Sequence, residues 1–236
     1  MDTSFYTAAR GVRTQQERMN VVANNIANLN TTGYKMQSSA FLDLMYYNMR
    51  SPEGTLTRLK AGTGVMQERT DIDFSPAGIG PTGQPMDYAL LSEGFFMVQD
   101  PATNEITYTR NGHFSASQRA DGMYLITDSG KLVLDANRNP IRIADGKAAV
   151  PPGVFTFVNT NGMLAVGDNE FSPVAKNGLP ILVQSPNMKS GYLEMSNADL
   201  SEEFAKTVEA SRAYSYALKM VQTSDEVEQT INSLRA

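Results

Sequence analysis

The chain contains 236 residues and carries a formal net charge of -5, with 41% hydrophobic and 19% charged residues. This composition, without charge blocks or repetitive tracts, excludes wholesale disorder and predicts one or two compact domains. The acidic balance argues against a nucleic-acid binder, which normally carries a basic face. Because the sequence has no cysteine, it also excludes disulfides, thiolate metal sites and cysteine nucleophiles.

The N-terminus lacks the basic and apolar regions of a secretory signal peptide. The sequence also contains no run of about 18 consecutive apolar residues. We therefore expect neither export by a cleaved signal nor a membrane-spanning helix, whereas export by a dedicated machine that reads other features stays open.

Residues 1–35 are predicted to form a helix, because apolar residues recur at alternating steps of three and four, the spacing of a coiled-coil seam. This N-terminal seam consists of Phe5, Ala8, Val12, Gln15, Met19, Val22, Ile26 and Leu29. The residues from Asn30 to Gly33 are poor helix formers and end it. Gly11 costs the helix about 1 kcal/mol relative to alanine, which suits either a close backbone approach or a flexible point.

Residues 36–81 are predicted to be a connector, with one short helical or extended apolar piece at 41–47. Residues 82–190 differ, because turn dipeptides such as Asn111-Gly112 and Asp121-Gly122 separate short β-like runs. The predicted strands are 88–91, 95–99, 106–109, 124–127, 131–134, 141–143, 154–158, 163–166 and 181–184. This spacing predicts an outer β-domain of antiparallel hairpins, arranged as a sandwich or barrel.

Residues 191–236 are predicted to contain a second long helix. A hydroxyl residue followed three positions later by a carboxylate, Ser196 and Asp199, matches a helix-capping pattern. The C-terminal seam consists of Leu200, Phe204, Thr207, Ser211, Tyr214, Leu218, Val221, Ser224, Val227, Ile231 and Leu234. A step of three residues between Val221 and Ser224 breaks the heptad phase.

The sequence therefore predicts an α+β fold, with two terminal helices around an inserted, mainly antiparallel β-domain. The two seams can be buried against each other and against copies of the chain. Because a helix pair leaves much of its surface uncovered, we expect the terminal segments to order fully only on assembly. The seam residues expected at the subunit interface are Phe5, Val12, Met19, Val22, Ile26, Leu29, Leu200, Phe204, Tyr214, Leu218, Val221, Val227, Ile231 and Leu234.

Motifs for catalysis or ligand binding are weak. The GxGxxG match at 78–83 lacks a preceding strand and contains Pro81, so it does not predict a nucleotide site. Residues 135–146 resemble a calcium loop but have Pro140 and Gly146 at two essential positions, which favours a hairpin connection. His113 is the only histidine and is expected to be a surface or hydrogen-bonded turn residue. We predict no catalytic site, metal site or cofactor.

Residues 23–35 (ANNIANLNTTGYK) place several asparagines near a helix end, where they lower helix propensity. Because asparagine amides pair with backbone groups at helix ends and across interfaces, contact between subunits explains them better than a solvated surface.

This segment resembles the N-terminal signature of the bacterial flagellar rod and hook protein family, through Asn24, Asn25, Asn28, Asn30, Thr31, Thr32 and Gly33. Further similar blocks are 87–96 (DYALLSEGFF), 108–114 (YTRNGHF), 191–197 (GYLEMSN) and 211–214 (SRAY). The resemblance spans most of the chain and weakens between about residues 144 and 189.

The resemblance implies an axial structural protein of the flagellar basal-body rod, located in the cell envelope and exported through the flagellar type III apparatus. In that family the terminal helices form a coiled-coil tube around the export channel, and the β-domain lies outside. The implied partners are copies of the chain, other rod and hook proteins, and the export apparatus, with no nucleic acid and no small-molecule substrate. Proximal and distal rod assignments both fit.

Two other classes stay open at this point. The same layout of helices and β-domain could serve a secreted fibre or adhesin outside the flagellum. A cell-wall glycan hydrolase is the enzymatic alternative, although no residue pattern in the sequence favours it.

Overall fold

The computed structural model describes residues 3–44, 46–50, 56–119, 121–144 and 146–235. The chain divides into two compact units. The first, here called the helical unit, comprises Met1–Ile26, Gln37–Asp71 and Asp199–Ala236; the second, the β unit, comprises Ala27–Met36 and Ile72–Ala198. The fold is α+β, as the sequence predicts.

The helical unit contains α1 (Thr3–Ala27) and α2 (Leu200–Arg235). The two helices run antiparallel: residues near the start of α1 contact residues near the end of α2, and the reverse. Ser4 Oγ lies 3.1 Å from Ser224 Oγ, and Asn25 Nδ2 donates a 3.0 Å hydrogen bond to Glu203 Oε2. Between these ends, an Arg18 guanidinium nitrogen lies 2.9 Å from a carboxylate oxygen of Glu209.

Small residues line the face of α2 that packs within the unit. Ala210 and Ser224 are buried, and a Cβ atom built on Gly11 of α1 would lie only 3.7 Å from the Cβ of Ala217. Small side chains let the two helices approach closely. The buried or half-buried residues of α2 are Glu203, Lys206, Thr207, Ala210, Ala213, Tyr214, Ala217, Val221 and Ser224, and they form its covered face. It shares Thr207, Tyr214, Val221 and Ser224 with the predicted C-terminal seam and leaves out its larger apolar residues.

The segment predicted as a connector forms four strands. β1 (Gln37–Asp43) pairs with β4 (Val65–Ile72), and β2 (Tyr46–Arg50) forms an antiparallel hairpin with β3 (Leu56–Gly62). The described part of 41–47 is thus extended, which settles the helical-or-extended alternative. The Thr14 hydroxyl donates to the Val65 carbonyl at 3.3 Å, so β4 gives α1 an additional partner within the chain.

The β unit is mainly antiparallel, as predicted. Its strands are β5 (Ile79–Pro81), β6 (Tyr88–Leu90), β7 (Phe95–Gln99), β8 (Ile106–Thr109), β9 (Phe114–Arg119), β10 (Gly122–Thr127), β11 (Leu132–Val133), β12 (Ile143–Ala144), β13 (Lys147–Ala148), β14 (Val154–Thr156), β15 (Leu164–Gly167), β16 (Glu170–Ser172), β17 (Ile181–Leu182), β18 (Met188–Ser190) and β19 (Tyr192–Glu194). The main sheet has the order β15-β16-β8-β7-β11-β10-β9, with β14 pairing β7 and β17. The pairs β18 with β6 and β19 with β5 complete the unit.

Side chains of β7 explain why this sheet is covered on both faces. Phe96 and Val98 belong to one buried cluster, together with Leu90 and Phe114. Phe95 and Met97 alternate with them and belong to a second cluster. Since successive residues of a strand point to opposite faces, β7 connects two apolar layers.

The helix at the N-terminus is shorter than predicted. It ends at Ala27, and Leu29 lies in the turn that follows. Gly33 adopts a φ of 67°, and a Cβ atom there would lie 2.5 Å from the backbone nitrogen of Asn111. Residues 27–36 belong to the β unit because their backbone pairs with it, as when Gly33 N donates to Glu194 O at 2.8 Å.

The other observed boundaries also differ from those expected at 81/82 and 190/191. Residues 72–81 belong to the β unit because β5 pairs with β19. Residues 191–198 belong to it for the same reason, and α2 begins only at Leu200.

Candidate subunit interface and buried charge cluster

The predicted seam residues divide into covered and exposed groups. In the N-terminal seam, Val22 is buried, Val12, Met19, Ile26 and Leu29 are half-buried, and Phe5 is exposed. In the C-terminal seam, Tyr214 and Val221 are half-buried, whereas Leu200, Phe204, Leu218, Val227, Ile231 and Leu234 are exposed. The structure thus brings the N-terminal seam into contact within the chain and leaves most of the C-terminal seam open.

The exposed part of the C-terminal seam is large for a water-facing helix. Phe204 is 54% exposed and Leu218 is 39% exposed. Val208 and Met220, outside the predicted seam, add further exposed apolar surface. Exposed apolar surface of this extent makes α2 a candidate interaction surface.

Charges at the start of α2 stabilise the helix locally. Asp199 Oδ1 accepts hydrogen bonds from Ser201 N at 2.7 Å and Glu202 N at 3.1 Å, and these bonds lower the pKa of Asp199. Burial alone would lower the pKa of Lys206, but its hydrogen bonds to Glu202 and Glu203 outweigh burial and raise it. The predicted pattern, with Ser196 at the cap and Asp199 three residues into the helix, is therefore wrong in position: α2 begins at Leu200, and Asp199 itself is the capping side chain.

The motif asparagine Asn25 is used within the helical unit. Its side chain is buried, and its amide nitrogen donates to the Gln37 carbonyl at 2.8 Å as well as to Glu203. Its amide oxygen accepts from Gln37 N at 2.9 Å. Asn25 therefore ties α1 to β1 and α2. These hydrogen bonds lie inside the chain, and contact of the motif asparagines between subunits stays a prediction.

Other motif residues hold the β unit together. The Thr32 hydroxyl donates to Asn111 Oδ1 at 3.0 Å, and Asn169 Nδ2 donates to the Thr32 carbonyl at 3.1 Å. Thr31 donates to Asn28 Oδ1 at 3.1 Å. Asn24 and Asn30 are exposed.

A fully buried group of three charges lies in the β unit, around Glu194. Its carboxylate accepts from Lys35 Nζ at 2.7 Å and from Arg110 Nε and Nη2 at 2.9 Å each. The backbone nitrogen of Ala77 donates to the same carboxylate at 2.9 Å. The Arg110 bond pair is the two-pronged geometry that guanidinium groups form with carboxylates. All three charged side chains have no exposed area.

Backbone carbonyls satisfy the remaining donors of this charge cluster. Lys35 donates to Ser75 O at 2.6 Å, and Arg110 Nη1 donates to Ser92 O at 2.9 Å and Gly94 O at 2.7 Å. Burial lowers the pKa of Lys35, opposed by the attraction of Glu194. Because the charges are sealed from solvent, the cluster positions chain segments and cannot contact a substrate.

Sequence reasoning missed this cluster. Lys35, Arg110 and Glu194 each lie inside one of the family blocks, at 23–35, 108–114 and 191–197. The available signal was that three separate blocks each contain a residue able to form an ion pair. Pairing between positions 159 residues apart leaves no local pattern, so the signal was not usable alone.

The weak motifs have structural explanations. Residues 79–81 of the GxGxxG match form β5, a strand paired with β19. Asp135 Oδ1 accepts from Asn137 N and Asn139 N within a tight connection, as expected for a hairpin. His113 is exposed, with Nδ1 2.9 Å from Asp87 Oδ1, which fits the expected hydrogen-bonded turn residue.

The described residues contain no group of three or more metal-ligating side chains suited to hold an ion. No helix among them combines the length and the apolar content needed to cross a bilayer. A polar cavity of about 580 Å³ lies beside Asn111, Asp128 and Asp168 in the β unit.

Three segments of the chain match known protein families. Residues 5–35 match the family described as flagella basal body rod protein, and residues 189–234 match flagellar basal body rod FlgEFG protein C-terminal. Residues 89–166 match the flagellar hook protein FlgE/F/G D1 domain.

Full-length relatives point the same way. The flagellar basal-body rod protein FlgG of Buchnera aphidicola subsp. Acyrthosiphon pisum is 32% identical, with 99% of this chain and 100% of that protein covered. FlgG of Bacillus subtilis is 28% identical, with 98% of each chain covered. The rod protein FlgF of Caulobacter vibrioides is 30% identical, with 98% of this chain and 96% of that protein covered.

The chain therefore belongs to the flagellar basal-body rod protein family. It is a structural subunit of the flagellar rod, and this finding favours the flagellar interpretation over a fibre or adhesin outside the flagellum. The matched families are rod and hook proteins, and none of them is catalytic.

Proposed function

We propose that the chain polymerises through its terminal helices into a helical coiled-coil tube, which transmits torque in the rod and encloses an export channel. The observation that carries this proposal is the exposed part of the C-terminal seam on α2, a helix whose neighbouring face already packs on α1. A helix that is apolar on a second, uncovered face requires a further partner.

Burial of that seam would contribute favourable free energy to assembly. Burying an exposed Leu, Ile, Val or Phe side chain contributes about 1.5 to 3 kcal/mol. Six exposed seam residues would therefore contribute on the order of 10 kcal/mol per subunit, before the entropy of association is subtracted. They are Leu200, Phe204, Leu218, Val227, Ile231 and Leu234.

The location and partners of the subunit follow from this role. We place the subunit in the basal body, within the cell envelope, where it contacts other rod and hook proteins after export by the flagellar apparatus without a cleaved signal. In this role the chain catalyses no reaction and needs no cofactor. Full-length similarity to FlgG rod proteins supports a FlgG-type position in the rod.

Leu218→Asp tests the role of the seam, because it places a charge in the proposed interface while the residue is exposed in the single chain. Thr223→Asp is the matched control, since it adds the same charge at an exposed position five residues further on, away from the side of α2 that carries Leu218. We expect Leu218→Asp to lower the sedimenting polymer fraction and swimming at least tenfold, with unchanged thermal unfolding. Equal assembly of the two variants would refute the proposal.

A further inference from the structure

Helix α2 is longer than α1 and continues past it. Ser224 of α2 contacts Ser4, near the first residue of α1, and α2 then runs on to Arg235. At 1.5 Å per residue, this overhang extends about 16 Å. The segment from Asp225 to Leu234 is here called the overhang, and all its residues are exposed.

The overhang has the chemistry of a docking helix. Val227, Ile231 and Leu234 are 52%, 48% and 83% exposed, and they recur at steps of four and three. They lie on the same side of α2 as Ser224, because residues three and seven positions apart share a helix face. From Met220 to Leu234 the sequence contains three acidic residues and no lysine or arginine.

A groove of complementary character lies elsewhere on the same unit, between α1 and β4. Its volume is about 410 Å³, and Glu17, one of its lining residues, lies 3.2 Å from the guanidinium of Arg13. The full lining is Arg10, Arg13, Thr14, Glu17, Leu44, Val65, Met66 and Gln67. Helix α1 carries three arginines and one glutamate. The groove therefore offers apolar side chains beside two arginines and one glutamate, and its net positive charge suits an acidic helix with an apolar stripe.

The groove and the overhang of one chain cannot meet each other. Thr14 of α1 contacts Val65, and the antiparallel pairing places this level near Tyr214 of α2. Ile231 lies about 25 Å further along α2, at 1.5 Å per residue. Any contact between the two surfaces must therefore join different molecules.

We infer that the overhang of one subunit docks in the α1–β4 groove of a second copy of the same chain. This inference rests on the proposed function and names the contact by which the terminal helices of neighbouring subunits join. Because the two surfaces are different patches, the contact is heterologous, and a heterologous contact that does not close generates an open helical polymer. Each added subunit would present a new groove and a new overhang.

Cysteine cross-linking tests the contact without interference from native cysteines of the chain, because the chain has none. Met66→Cys on an epitope-tagged chain and Ile231→Cys on an untagged chain are produced together in the flagellated source cell. Basal bodies are then isolated and mildly oxidised. We expect a mixed disulfide that carries one tag, because disulfides join Cα atoms only about 4 to 7 Å apart.

The control replaces Met66→Cys by Met123→Cys on β10, since the two methionines are 47% and 42% exposed. We expect at least tenfold less mixed disulfide from this pair. If both chains are present in basal bodies and Met66→Cys gives no more mixed disulfide than the control, the docking inference is wrong while the proposed function stands. If the native chain itself is absent from basal bodies, both are wrong.

Charge reversal gives a second test that does not depend on cysteine. Arg13→Glu and Glu226→Arg each place like charges together in the proposed contact, so each is expected to reduce the sedimenting polymer at least tenfold. The Arg13 side chain is 83% exposed, so its replacement leaves the fold of the single chain intact. The double variant is expected to recover most of the polymer. A double variant no better than the poorer single one would overturn the inference.

Discussion

The β unit and the helical unit differ in how completely they bury their apolar and charged side chains within one chain. In the β unit, Leu90, Phe96 and Met97 have no exposed area, and the buried Glu194 is paired with two cations. In the helical unit, Phe204 and Leu218 stay exposed although the neighbouring face of α2 is covered. The difference indicates that the β unit completes its core within one chain, whereas the helical unit leaves large apolar side chains of α2 exposed, which the proposed assembly would cover.

Circular dichroism can follow the two units separately. Both α-helices lie in the helical unit, apart from the last residue of α1, whereas the described β unit contains only a short 3-10 helix at Ala175–Asn177. The signal at 222 nm thus reports mainly the helical unit. Near-ultraviolet signals from tyrosines such as Tyr88 and Tyr108 report the β core.

The largest expected effect is on the β unit. Glu194→Gln leaves Lys35 and Arg110 buried without their counter-charge, and it should lower the free energy of unfolding by about 3 to 5 kcal/mol. Urea unfolding followed in the near-ultraviolet measures this loss. Glu170→Gln is the control, because its partner Lys131 is partly exposed and should tolerate the change better. A loss no larger than the control's would contradict a self-contained charged core.

The next effect separates the two faces of α2. Ala210 has no exposed area, so Ala210→Asp buries an unpaired charge and should destabilise the helix pair by about 3 kcal/mol. Thermal unfolding at 222 nm checks this prediction. Leu218→Asp serves as the comparison, because the single chain exposes that residue. Similar melting temperatures for both variants would show that α1 does not cover the face around Ala210.

A smaller, stabilising effect is expected where the helices cross. A Cβ atom on Gly11 would make an ordinary contact with Ala217, so Gly11→Ala should stabilise the helix pair by about 1 kcal/mol. The midpoint of urea unfolding at 222 nm measures this gain. Gly33→Ala should do the opposite in the β unit, because that backbone is left-handed and closely packed. A destabilised Gly11→Ala chain would mean that the helices approach more tightly.

The smallest effect concerns the start of α2 and depends on pH. The pKa of Asp199 is lowered from 3.8 in the folded chain, because backbone hydrogen bonds from Glu202 and Ser201 favour the carboxylate. Its contribution is therefore fully present above the unfolded pKa and is lost as the pH falls through the folded one. Asp199→Ala should melt slightly earlier than the native chain at pH 7 and equally at pH 2. A difference that persists in acid would contradict the capping role.

Local patterns in the sequence predicted much of the fold. Strands β7 and β8 have the predicted bounds because their apolar runs are flanked by turn residues. The position of α1 followed from its regular seam. The face of α2 used within the chain was harder to predict, because packing on α1 selects small residues such as Ala210 and Ala217 over larger apolar ones.

Long-range features were outside the reach of local patterns. Strand β9 alternates without a strongly apolar side, and β19 becomes a strand only by pairing with β5. Lys35, Arg110 and Glu194 are brought into contact only by the complete topology of the β unit. The candidate interface on α2 was predicted by periodicity, but its relation to the covered face required the structure.

The position of Glu194 within the chain has a consequence for the order of folding. Lys35 and Gly33 bond to a residue that is synthesised 159 or more positions later. Contacts of such high sequence separation form late, because the intervening loop must be closed first. In a chain that emerges N-terminus first, the contacts of Gly33 and Lys35 with Glu194 therefore cannot form until most of the chain has emerged. The segment that contains Glu194 is the last to join the β unit, and a truncation before Glu194 would remove these contacts.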